Sequence, residues 1–514
     1  MSFTTAVSGI NAQAERLNVA GNNIANSQTV GYKSSSVRFA DVFAASQGIG
    51  VRVSDSRQDF TQGSIENTGR NLDFAVAGDG FYRLERPSGE VGYSRNGEFS
   101  LTSDGFIVNA QGDRLTGYGL DQNVDQEAVR AGTALPFPFT DILVGGAPQA
   151  LQVPADDLPA RQTSEVNGIY NLDSRAQPGE ELVTNQFRIQ AGEEQADLSL
   201  NYHFSNNYTT YDSLGNPRQV TTYYEKVADN TWLATIAVDG QLQSASGGAF
   251  DPESDTPQAF LLNFNQNGQL LTKADVVAVD GFETEPNSAF DALANSAVVG
   301  VTEVSGSFNY TQDGDGSYIR NSSFYAEGDA GRITADLDRI ENFISNGSNV
   351  QSGSAINITI PGVQGANNPF TFAFNFAGSS QFANTSQQNE LNQDGYTSGA
   401  LAGITVTEDG TIVRNFTNDQ SRPAGQIALA SFRNNEGLEP LGNNLWAATN
   451  SSGLANLGVP GSGRFGAIQA GAVEASNVDL ASELVDTIVA QRSYQANSNT
   501  ISTQDELLQT IINL

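Results

Sequence analysis

The sequence predicts a mainly β chain with α-helical termini. Nested domains are expected: long N- and C-terminal helices paired as a coiled-coil-like inner domain, carrying β-rich inner and outer domains. Three observations lead there. Phe3, Val7, Ile10, Ala14, Leu17, Gly21 and Ile24 recur at alternating spacings of four and three, an a/d heptad stripe. Residues 477–514 carry a second long helical pattern, through Leu480, Leu484, Ile488, Ile501, Leu508 and Ile512. Everything between is rich in Gly, Asn and Thr, with the short alternations of strands. Two such helices, so far apart in sequence, pair only if the termini meet. Their stripes suit packing against other copies of the chain.

Taken in order, the first helix is expected from Ser2 to about Ala25. Asn22, Asn23 and Asn26 crowd its end, where Asn tolerates left-handed backbone and bonds free carbonyls. Residues 1–33 and 472–514 form the expected terminal helical domain. Its polymerisation interface comprises both stripes and the three asparagines. Residues 34–70 and 433–471 read as linkers punctuated by Gly and Ser. Residues 71–142 and 351–432 read as an inner β domain. In it Gly78-Asp79-Gly80, Asn96-Gly97 and Asp104-Gly105 fall at hairpin spacing. Phe370, Phe372, Phe374 and Phe376 alternate strictly, which puts four rings on one face of one strand for core packing. Residues 143–275 read as an outer β domain, whose clearest hairpin is Gln219–Val227, a turn at Asp229-Asn230, then Thr231–Val238. Residues 276–350 read as an inserted extra domain. There Ile333, Leu337, Ile340 and Ile344 keep a helical spacing closed by Gly347. Ser476 with Asp479 fits a capping box opening the last helix, roughly 55 Å long.

The chemistry is bounded by charge and by what is missing. The 514 residues hold 58 acids against 25 Lys and Arg, a net charge of −33. No nucleic-acid partner is expected, because binding to phosphate needs clustered cations. An acidic surface keeps a chain soluble and is best tolerated where salt screens it. Cysteine is absent, which excludes disulfides, thiolate catalysis and Cys-ligated metal. No run approaches the ~20 apolar residues that span a bilayer, so no membrane insertion is expected. The start lacks the charged-then-apolar pattern of a secretory signal.

Each suggestive motif has a plainer explanation. Gly461 to Gly466 spells GxGxxG, but Pro460 precedes it and no strand–helix unit surrounds it, so it reads as linker. Asn309, Thr311, Asp313 and Gly314 are spaced like a calcium loop, yet the twelfth position is Arg320 rather than Glu. His203, the single histidine, stands in a strand-like run without a nucleophile motif, so a structural role is expected. Trp232 and Trp446 read as core anchors. No catalytic residue, cofactor or metal is expected.

The two ends carry a resemblance. MSFTTAVSGINAQAERLNVAGNNIANSQTVGYKSSSVRFADVF and GAVEASNVDLASELVDTIVAQRSYQANSNTISTQDELLQTIINL are similar to the termini of bacterial flagellar hook proteins. QDFTQGSIENTGRNLDFAVAGDGFYRL, YSRNGEFSLTSDG and GQIALASFRNNEGLEPLGNNLWAAT agree internally, and YDSLGNPRQVTTYYEKVADNTWLA matches loosely. The resemblance implies a non-enzymatic subunit that polymerises into the hook, a flexible tube acting as universal joint between rod and filament. It implies an extracellular place in the flagellum and export through the flagellar channel. The implied partners are copies of itself, rod, hook cap and hook-filament junction proteins, and the export apparatus. A distal rod or junction protein is the alternative, because Gly21 to Lys33 is shared across the axial proteins.

Overall fold

The computed structural model describes residues 3–44, 47–123, 129, 135–191, 194–244, 250–252, 257–272, 274–275, 301–303, 310–312, 318–320, 355–360, 365–366 and 369–512. The chain forms two compact units, residues 1–158 with 400–514, and residues 159–399. The first contains both termini.

In that first unit, helix α1 spans Phe3–Ala25 and helix α2 spans Leu480–Ile512. Asn26 closes α1, its Nδ2 donating to the Asn22 carbonyl at 2.9 Å. None of the three asparagines is left-handed; that backbone falls to Gly31, at φ 69°. A Cβ at Gly31 would lie 2.5 Å from the Asn96 nitrogen, so the position needs glycine on both counts. At the other end, Asp479 rather than Ser476 opens α2. Its Oδ1 accepts from Ala481 N at 2.9 Å and Ser482 N at 3.2 Å, the bonding of an N-cap.

The β part of this unit is dominated by one large sheet. Its main path runs Leu401–Val406, Thr411–Phe416, Ser421–Ile427, Arg114–Tyr118, Phe81–Glu85, Val91–Ser94, Leu445–Ala447, Glu439–Gly442. Strands from both halves of the chain interleave in it, which joins the segments on either side of the second unit. Phe74, Leu84, Ile107, Leu115, Ile412 and Ile427 are buried in its core. A smaller aromatic cluster gathers Phe81, Tyr93, Phe432 and Trp446, with Phe60 packed edge-on against Trp446. Two short ladders, Ile65–Asn67 with Ala472–Glu474 and Phe74–Ala77 with Ala467–Ala470, tie the outgoing chain to the returning one.

The second unit holds two principal sheets. One runs Phe204–Tyr211, Pro217–Ala228, Thr231–Val238, Ala259–Asn263, Val301–Glu303. The other includes Ala355–Ile360, Phe370–Asn375, Glu165–Asp173 and Ser380–Phe382. Their shared core contains Tyr170, Tyr224, Trp232 and all four alternating phenylalanines, from Phe370 to Phe376. Trp232 is fully buried, and its Nε1 donates to Gln381 Oε1 at 2.7 Å. His203 is structural: Lys226 N donates to Nδ1 at 3.0 Å, and Nε2 lies 3.1 Å from the Gln177 carbonyl.

Several segments differ from their expected assignment. Residues 355–393 belong to the second unit, not to the inner β domain. The four rings need an apolar face opposite, and Tyr170, Tyr208 and Tyr224 supply it there. Residues 143–158 go the other way, with Leu151 and Val153 buried in the first unit. The expected linker 34–70 contains an antiparallel hairpin, Ser35–Ala44 with Gln47–Gln58. Its short alternations, too sparse to stand alone, are supported by α1 on one side. The expected linker 433–471 supplies three strands of the large sheet, Glu439–Gly442, Leu445–Ala447 and Asn456–Gly458. Within 276–350, Val301–Glu303 and Tyr318–Arg320 pair with strands of the second unit. The Ile333 to Ile344 spacing, and Asn309, Asp313 and Gly314 of the calcium-like run, lie outside the described residues.

Candidate polymerisation interface

Three faces of α1 do three different things. One face meets α2, antiparallel. Gly9 abuts Asn497, where a Cβ would lie 2.7 Å from Nδ2. Arg16 Nη2 donates to Asp486 Oδ1 at 2.8 Å. Asn23 Nδ2 donates to Glu483 Oε1 at 2.7 Å. These contacts define a heptad of their own on α1: Ala6, Gly9, Gln13, Arg16, Ala20 and Asn23. On α2, Glu483, Asp486, Ala490, Ser493 and Asn497 repeat the same spacing. Ala6, Ala20, Asn23 and Ala490 are all buried. The seam is made of small and polar side chains, which lets the backbones approach closely.

A second face of α1 lies on the hairpin. Val51 N donates to Ser8 Oγ at 3.2 Å, and Thr5 Oγ1 donates to the Ile49 carbonyl at 3.4 Å. Ala12 is buried. At the base, Asn23 also reads the chain that leaves the helix. Its Oδ1 accepts from Ser35 N at 2.9 Å, and its Nδ2 donates to the Ser35 carbonyl at 2.8 Å. Burial, followed by the Glu483 carboxylate, pushes the nearby Tyr32 hydroxyl above its ordinary pKa.

The third face is the apolar heptad seen in the sequence, one residue beyond the seam. Phe3 is 52% exposed, and Val7, Ile10, Ala14, Leu17 and Ile24 are only half-buried. Gly21 and Asn22 are exposed, and Asn26 is half-buried. On α2, Leu480, Leu484, Ile488 and Leu508 are exposed, and Ile501 is half-buried. Val485 and Val489, which the sequence reading passed over, widen this surface at 60% and 46% exposure. Ile512 lies in α2, with its side chain outside the described residues. Of the fifteen candidate residues whose side chains are described, only Asn23 is buried within the chain. The rest leave a long, partly apolar surface on a chain of high net charge, the pattern of an association face.

The seam itself was missed. Its signal was available: a run of small residues at heptad spacing beside the apolar one, with Arg16 facing the acids of the last helix. Hydropathy alone points to the apolar stripe beside the seam, not to the seam. Elsewhere, among the described residues, no group of His, Cys, Asp or Glu is placed to hold a metal ion. No described helix is long and apolar enough to cross a membrane.

Family models match four segments of the chain. The profile described as flagella basal body rod protein matches residues 3–33. The flagellar hook protein FlgE/F/G D1 domain matches 75–156, and the flagellar basal body protein FlaE D2 domain matches 171–396. The flagellar basal body rod FlgEFG protein C-terminal profile matches 469–514. The flagellar hook protein FlgE of Salmonella typhimurium is 36% identical over 517 residues, covering all of both chains.

The chain belongs to the flagellar hook protein family.

The hook protein FlgE of Escherichia coli K12 is likewise 36% identical over 518 residues, again covering all of both chains. That of Treponema pallidum is 29% identical, covering all of this chain and 99% of its own. The crystal structure of Helicobacter pylori flagellar hook protein FlgE2 aligns with 79% of this chain and 99% of its own, at 12% identity and a TM-score of 0.42. The terminal matches of the hook family, 3–33 and 469–514, are the segments that the structure brings together as one helix pair. Its D1 and D2 matches fall on either side of the unit boundary at Leu158.

Proposed function

We propose that this hook-family chain is a structural subunit of the flagellar hook, and that copies associate through the outward apolar faces of α1 and α2. The hook relatives match over the full length, which disfavours a distal rod or junction protein. The division of labour on the helices supports the second half. The seam pairs the two helices within a chain without using the apolar heptads. Those heptads are then free for neighbouring copies, whose repeated contacts generate a helical polymer. The β units make the rigid wall. The implied place is the hook of the flagellum, and the role is mechanical rather than catalytic.

Charge substitution on the outward face tests this. Leu484→Asp with Ile488→Asp leaves the seam residues untouched. The doubly substituted chain keeps its helical circular dichroism and forms no tubes by electron microscopy. Tubes of normal appearance from that chain would remove these residues from the interface.

A further inference from the structure

Lys33, Glu474 and Arg95 form a buried charge cluster at the base of the helix pair. The side chains of Lys33 and Glu474 are wholly buried and that of Arg95 is 4% exposed. Lys33 Nζ donates to Glu474 Oε1 at 2.6 Å and to the Thr61 carbonyl at 2.6 Å. The same Oε1 accepts from Gly63 N at 2.9 Å. Arg95 Nη1 lies 3.3 Å from Glu474 Oε2, and its guanidinium donates to the carbonyls of Val76 and Gly78. The Glu474 backbone carbonyl accepts from Gly31 N at 2.7 Å. One carboxylate therefore serves two buried cations from two different segments.

The positions give the cluster its meaning. Lys33 lies in the turn segment after α1, and Glu474 ends the strand that leads into α2. Arg95 belongs to the β sheet region between them in sequence. We infer that the three residues act as a both-ends clasp: the segment after α1 docks on the β unit only when the segment leading into α2 brings Glu474 with it. Without Glu474, Lys33 and Arg95 face each other with no anion between them. Without Lys33, Glu474 still has Arg95. A chain lacking its returning segment is thus held open by repulsion, and only a chain with both ends presents the helix pair for assembly. This inference concerns a single chain and rests on the hook-subunit reading only for that last consequence.

Hydrogen exchange on the full-length, unpolymerised chain tests it. Glu474→Gln should speed amide exchange in both 3–25 and 480–512, roughly a hundredfold or more for an uncompensated buried charge. Exchange in 204–238 of the second unit should not change. Lys33→Met alone should be milder. The decisive variant is Lys33→Met/Glu474→Gln, which removes one of the two opposed cations and should recover much of the lost protection. Release of only one helix by Glu474→Gln, or a double variant no better than Glu474→Gln, overturns the clasp. If Glu474→Gln yields no folded protein, the same comparison is read as soluble folded yield: recovery in the double variant supports the clasp, and none overturns it. Tube formation by the same variants is scored separately, so failure of the interface and failure of the clasp are distinguishable.

Discussion

Arg16 donates to Asp486 at 2.8 Å across the helix pair, joining residues 470 positions apart in the chain. The bond sits in a seam whose other members are small or polar, with Gly9 against Asn497. The two contacts differ in kind. Arg16 and Asp486 side chains are 34% and 49% exposed, so water competes with the ion pair. Arg16→Ala should cost under about 1 kcal/mol. Gly9→Leu drives a branched side chain into a closed contact and should cost about 1–3 kcal/mol. Thermal melts followed by helical circular dichroism check the order. A larger loss from Arg16→Ala would show that charge, not close approach, holds the seam.

His203 makes the second unit sensitive to mild acid. Burial, the largest cause, holds its pKa below the ordinary 6.5, despite carbonyls at Gln177 and Glu180 that favour the charged form. The bond from Lys226 N to Nδ1 requires an unprotonated nitrogen there. The unfolded chain therefore binds the proton more readily. Stability is full above about pH 7.5, falls as pH drops through roughly 6.5, and levels off below the folded value. Denaturant midpoints of the second unit between pH 8 and 5 measure this. His203→Gln should flatten the slope, and an unchanged slope would assign it to other groups.

Salt should promote assembly. Residues 276–350 alone hold 12 acids and three arginines, while the terminal helices are nearly neutral. Packing copies brings acidic β units together. The screening length is about 30 Å at 0.01 M salt and about 8 Å at 0.15 M. The critical concentration should fall between these ionic strengths. A flat or rising value by sedimentation would mean that repulsion between β units does not limit assembly.

Much of this architecture was legible in the residues. A sustained heptad at the start and a long helical pattern at the end announced the helices, and the Gln219–Val238 hairpin followed from its turn residues and β-branched flanks. The strict Phe370 to Phe376 alternation placed four rings in a core. What periodicity could not show was the direction each helix faces. Gly9, Ala20 and Asn23 score poorly as apolar residues, yet close approach and hydrogen bonding put them inside. Nor could adjacency reveal that residues 355–393 pair with 165–173, because that choice depends on which sheet offers a matching aromatic face. Nothing in the sequence marks Lys33 for burial. Its burial became visible only when Glu474, 441 positions on, arrived beside it.

In the proposed assembly the apolar faces of α1 and α2 meet neighbouring copies rather than each other. The chain has no cysteine, so a thiol placed at Leu484→Cys is a clean probe of that face. Its alkylation rate should be near that of a free thiol in the unassembled chain and fall at least tenfold in the polymer. Equal rates in both states would contradict the account, because Leu484 would then remain on an open surface after assembly.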